Sequence, residues 1–160
     1  MDRETFMRDY WAYYLMLEDK FIDTTNYVTL AEDNYGTYSN EYAALMQMIG
    51  GELDSFFKVY CLTKRKKDEF EEKQENDTAE VKQNFATVKR KTWWRAFTDV
   101  KHNRSSSKKD ANQRNTLYLL GALYLLEMKY LKDITEKSGG RDIPDKESNL
   151  FTLDGWETKY

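Results

Sequence analysis

Arginine and histidine make a chemically pointed pair. Arginine is a permanent cation whose planar donor fork matches a phosphate, and histidine is the side chain that exchanges a proton near neutral pH. This chain holds one histidine, His102, and it follows Arg95 by seven residues. At the helical step of about 100° per residue, seven residues turn through about 700°, so the two side chains leave a helix on nearly the same face, two turns apart. The string around them is Trp93-Trp94-Arg95-Ala96-Phe97-Thr98-Asp99-Val100-Lys101-His102-Asn103-Arg104. Lys101 and Arg104 flank the histidine, so an anion held there would face several cations. No Asp, Glu, His or Cys cluster with metal-ligand spacing accompanies the pair, and a single cysteine, Cys61, excludes a cysteine-built zinc site and a disulfide framework. Phosphate chemistry at this place would be metal-independent. The spacing alone is weakly specific: a lone histidine beside aromatics is more often a packed or surface residue than a catalyst, and Trp93, Trp94 and Phe97 read first as core.

The charge pattern points to the same segment. The net charge of −3 is the balance of unequal parts. Residues 1–57 carry 3 basic and 11 acidic groups, whereas residues 89–114 carry 9 basic groups against Asp99 and Asp110. Lys89, Arg90 and Lys91 open this basic stretch, and Lys108, Lys109 and Arg114 close it. One concentrated basic segment in an acidic chain reads as a local anion site, with a solvated loop or docking on the acidic N-terminal third as the bland alternatives.

Something must position those residues, and the composition predicts helices. One Pro and seven Gly in 160 residues are too few turn formers for a sandwich or barrel, while 15% aromatic residues exclude a disordered chain. Phe6, Tyr10, Tyr13, Leu17 and Phe21 recur at steps of three and four, widened by Trp11 and Tyr14. Ser39 is the expected N-cap of a second helix through Tyr42, Leu45, Met46, Ile49, Leu53, Phe56 and Tyr60, and a close helix–helix approach would explain its Gly50-Gly51 pair. The charged stretch Lys64–Glu80 reads as a solvated helix extension, with a mobile connection as the alternative, broken near Asn76-Asp77 and followed by a helix over Thr78–Arg90. Thr92 is the expected cap of a short helix through Trp93, Trp94, Phe97 and Val100, and residues 103–107 read as a loop.

The last helix is expected over roughly Asp110 to Lys137, closed by Gly139-Gly140 and Pro144. It carries two apolar stripes: Leu117, Leu120, Tyr124, Met128, Leu131 and Ile134, then Leu119, Leu123, Leu126 and Tyr130. That is more apolar surface than one core-facing helix needs, so this helix is either central to the bundle or part of a dimer interface. Leu150, Phe151, Leu153 and Trp156 then predict a C-terminal tail, residues 139–160, docking on a bundle of residues 1–138. The charged start lacks the apolar core of a signal peptide, and the longest apolar run is about half a membrane span. A soluble cytoplasmic protein with no membrane association is expected.

The Arg-x6-His string at the end of a short helix, with tryptophans before the Arg and Lys-His-Asn-Arg at its close, resembles the HEPN superfamily, whose signature is an Arg, four to six residues and a His. Tyr10-Trp11-Ala12-Tyr13-Tyr14-Leu15 through Phe21, and Ser39 to Cys61, look like a widespread bacterial group of that type. The resemblance covers roughly residues 5–137. It implies an all-α fold, an up-and-down bundle of four to five helices, and a homodimer in which two Arg/His motifs face one cleft. Many members are metal-independent endoribonucleases of toxin–antitoxin or phage-defence systems, which implies RNA as substrate and, for a toxin, an antitoxin partner. Others only bind RNA, a nucleotide or a partner protein.

Carried over, Arg95 and His102 are the catalytic candidates, with Lys101, Arg104, Lys108 and Lys109 as an RNA- or phosphate-binding rim; no metal and no cofactor are implied. One departure favours the binding alternative: many active members carry a polar residue after the Arg, and this chain has Ala96.

Overall fold

Ser39 starts the second helix as its chemistry predicts, its Oγ accepting from Tyr42 N at 3.0 Å. In the computed structural model, which describes residues 1–68 and 92–153, four helices follow from such local signals. The first, α1, is continuous through Arg3–Phe6, a π-helical turn Met7–Trp11 and Ala12–Thr24, with Asp2 as its cap. Helix α2 spans Asn40–Asp68, α3 spans Thr92–Asn103 and α4 spans Gln113–Ser138. Among the described residues there is no strand, only an isolated bridge between Tyr38 and Asn112, so the fold is an all-α bundle. No helix among them is long and apolar enough to cross a membrane. The expected helix over Thr78–Arg90, most of the charged stretch before it, the cations at 89–91 and Trp156 lie outside the described residues.

Helix α4 is the centre of the bundle, packing on α2 most extensively and also on α3 and α1. Leu120, Tyr124, Met128 and Leu131 of one stripe are buried, and so are Leu119, Leu123 and Tyr130 of the other. Most of the double stripe is therefore covered within the chain, with Leu117, Leu126 and Ile134 half-buried and Tyr118 and Leu125 exposed beside them. The helix begins later than expected, at Gln113, because Lys108–Asp110 forms a 3-10 turn and Asn112 caps, its Oδ1 accepting from Asn115 N at 2.9 Å. It ends at Gly139, left-handed at φ 70° as a glycine cap predicts.

The π turn corrects the first stripe. Its wider winding puts a step of five between Phe6 and the next fully engaged side chain, Trp11. From there Tyr14, Leu17, Glu18 and Phe21 carry the buried line, leaving Tyr10 and Tyr13 half-buried. Phe6 closes an aromatic cluster with Tyr130 at 5.5 Å and Phe56 at 6.0 Å between ring centroids.

The tail crosses back over α1. Arg3 donates to Ile143 O at 3.0 Å and pairs with Asp145 at 2.9 Å, holding that carboxyl below its usual range. Trp11 Nε1 donates to Lys146 O at 2.8 Å. Phe151 stacks on Tyr124 at 5.4 Å. Wholly buried Glu18 accepts from Tyr14 Oη at 2.7 Å, from Ser148 Oγ, and from Asn149 N at 2.8 Å.

Only half of the glycine pair is explained by a close approach. A Cβ on Gly50 would overlap the Phe97 ring, lying 2.6 Å from its Cζ, whereas one on Gly51 meets nothing. Gly50→Ala is therefore expected to lose about 1–2 kcal/mol, overpacking outweighing the helix propensity gained. Gly51→Ala is expected to gain about 0.5–1 kcal/mol. Urea denaturation of the two variants checks the contrast; shifts of equal sign would contradict it.

Candidate nucleic-acid interface

Helix α3 has two faces, and the core claims only one. Trp94, Phe97 and Val100, at steps of three, are buried against α2 and α4, with Trp94 and Phe97 ring centroids 5.2 Å apart. Ala96 is buried as well. The residue after the arginine thus faces the core, where a polar side chain would need a partner, and its alanine is a packing requirement.

Arg95 and His102 lie on the solvent side. They sit two turns apart on one helix, the arrangement expected from their spacing. His102 has no hydrogen-bond partner among the described residues and is not part of the core. Asp99 lies between them, four residues after Arg95 and three before His102. Its Oδ2 stands 3.9 Å from Arg95 Nε, with the arginine side chain 83% exposed, an ion pair at the outer limit of distance and weak in water.

The remaining cations divide. Lys101 leaves the Arg95–His102 line, its Nζ standing 5.6 Å from the centroid of the Phe97 ring in a cation–π contact. Arg104 and Lys108, just past the helix, converge on a cavity at the start of α2 with Tyr38. Lys109 is exposed on the 3-10 turn, contributes its carbonyl to Asn112 Nδ2 at 2.9 Å, and does not line that cavity. A separate cavity of about 430 Å³, lined by Lys20, Tyr27 and Glu41 at the α1–α2 connection, contains none of these residues. Among the described residues no three His, Cys, Asp or Glu side chains gather as metal ligands would.

Two buried carboxyls were not anticipated. Glu18 is satisfied by the tail, and burial raises the hydroxyl of its partner Tyr14 above the ordinary tyrosine range. Glu127 is wholly buried on α4, with no hydrogen-bond partner for either oxygen among the described residues. Burial first, then the charge of Glu52 on α2, push its carboxyl well above the usual range. The available signal was phase: Glu18 lies between Tyr14 and Phe21, and Glu127 between Tyr124 and Leu131, each at core-facing steps. Neither lies on α3: Glu18 is on α1 and Glu127 on α4. No protein-family model, no curated protein and no solved structure matches this chain.

Proposed function

We propose that the protein is a HEPN-like, metal-independent endoribonuclease acting through the exposed face of α3. One observation carries the reading. Packing explains Trp94, Ala96, Phe97 and Val100, but nothing in the core explains Arg95 and the chain's one histidine, both turned to solvent on the same face.

RNA supplies its own nucleophile, so the protein need only orient it, move protons and stabilise charge. The 2′-oxygen attacks phosphorus while its proton passes to an imidazole. The P–O5′ bond breaks, and the 5′-oxygen takes up a proton from an imidazolium. Arg95 clamps the two equatorial phosphoryl oxygens. The products are a 2′,3′-cyclic phosphate and a 5′-hydroxyl. A single chain has one imidazole, so a second copy facing the first would supply the other. Toxin–antitoxin or phage-defence systems are the setting that the resemblance implies.

Labelled single-stranded RNA, incubated with the protein in excess EDTA, is expected to be cut at a rate unchanged by the chelator, and a 2′-deoxy substitution at the cut site to block cleavage. Loss of cleavage in EDTA would end the reading.

A second reading has specific support. Asp99 engages Arg95, and Ala96 cannot act polar in the core, so the same face would serve a non-catalytic module that binds RNA, a nucleotide or a partner protein. Binding with no cleavage under any of these conditions selects it.

A further inference from the structure

The basic loop after α3 is stapled to the start of α2. Gln113 N donates to Thr37 O at 3.0 Å, Ser39 N to Ala111 O at 3.2 Å, and Arg114 N to Tyr35 O at 3.3 Å. Asn115 Nδ2 donates to Asp110 O at 2.9 Å, fixing the 3-10 turn from the other side. Between the stapled segments lies a cavity of about 260 Å³. Tyr38, Asn40 and Ala43 line it from the α2 side, and Arg104 and Lys108 from the loop. Among the described residues no carboxylate lines it. Two cations lining one concavity raise the local positive potential, and the amide end of α2 adds to it in the same sense, while Glu41 of that first turn lines the separate cavity. Tyr38 has its backbone held in the bridge to Asn112, yet its side chain remains half-exposed, at 49%. An aromatic ring held at the rim of a basic cavity is the pairing that binds unpaired bases and their phosphates together.

We infer that this cavity is a subsite for single-stranded RNA, with a phosphodiester between Arg104 and Lys108 and the adjoining base stacked on Tyr38. The inference rests on the reading of the chain as an RNA-acting protein. The cavity's volume of about 260 Å³ suits one unit of a polymer whose remainder runs outside. The stacked base must be unpaired, which excludes a duplex. Arg104 follows His102 by two residues, so the subsite adjoins the α3 face in the chain and would set which phosphate reaches it.

The test uses the full chain and a fluorescent 2′-O-methyl oligonucleotide, which cannot be cut, so that binding is read apart from cleavage. Tyr38→Ala is expected to weaken binding about tenfold, and Tyr38→Trp to restore it. Arg104→Ala with Lys108→Ala is expected to weaken binding at least tenfold and to lower the salt slope by about one to two. Tyr27→Ala, at the separate cavity, should bind as the native chain does. Thermal melts establish that the variants fold. Native-like binding by folded Tyr38→Ala, an unchanged salt slope in the double variant, or no binding by the native chain would overturn the subsite. Cleavage lost in His102→Ala alongside native-like binding in the subsite variants would overturn this inference and leave the ribonuclease reading standing. Binding lost in the subsite variants of a chain that never cleaves would do the reverse.

Discussion

His102→Ala is expected to cut RNA about 10²–10⁴-fold more slowly than the native chain, the usual contribution of a positioned proton-transfer group. Because His102 lies outside the core, the variant should keep its stability to within about 0.5 kcal/mol. Arg95→Lys should also lose most activity despite keeping its charge. A point cation cannot reproduce the two parallel donors that grip a phosphoryl group, and the guanidinium makes only a long contact to Asp99 that lysine could replace without structural cost. The check is single-turnover cleavage of labelled RNA with melting curves on the same samples. A His102→Ala protein that cuts at the native rate removes the imidazole from the mechanism.

Glu127→Gln is expected to stabilise the fold at neutral pH, and by an amount that grows with pH. Among the described residues the carboxyl is wholly buried without a hydrogen-bond partner, and the charged or titratable groups facing it are Glu52 on α2 and Tyr10 in the π turn. Glu52 is itself raised by burial, and Tyr10 by burial first and then Glu52, Asp9 and Glu127. An acid held above its ordinary range keeps a proton in the folded chain that the unfolded chain releases. Its contribution is therefore fully present below the unfolded value of 4.5 and is lost as pH rises towards the folded value, by about 1.4 kcal/mol per pH unit. Glutamine keeps the shape and cannot ionise, so variant and native curves should meet near pH 4 and part above it. Urea denaturation at several pH values between 4 and 8 measures this. A difference independent of pH would show that Glu127 does not titrate differently in the two states.

Local chemistry made much of this fold readable. The run from Tyr42 to Tyr60 was predicted by its spacing and is buried at all seven positions, since α2 keeps regular winding and one face meets the core. Ser39 and Gly139 were legible because a cap depends on a few neighbouring atoms. The π turn was not, because one slipped hydrogen-bond register is settled by how Phe6 and Trp11 pack, and nothing in Met7–Trp11 announces it. Gly50 called for a close neighbour, but only the fold names Phe97. At the candidate site, the shared face of Arg95 and His102 follows from helix geometry alone. The separation of Lys101 from them is equally local, a step of four from Phe97, but the meeting of Tyr38 with Arg104 and Lys108 depends on segments some 65 residues apart in the chain, joined by backbone bonds that no spacing encodes.

The Glu18 arrangement has a consequence for the order in which the molecule comes together. Its carboxylate belongs to α1, but the Ser148 and Asn149 donors it needs arrive about 130 residues later. Until they do, docking α1 on α2 and α4 would strip water from a charge with one phenol in return, a state costing several kcal/mol. The N-terminal helix is therefore expected not to seat early and wait. It seats when the distant segment closes over it, so the two behave as one cooperative unit, and their amides should open and exchange together, whichever end a disturbance starts from.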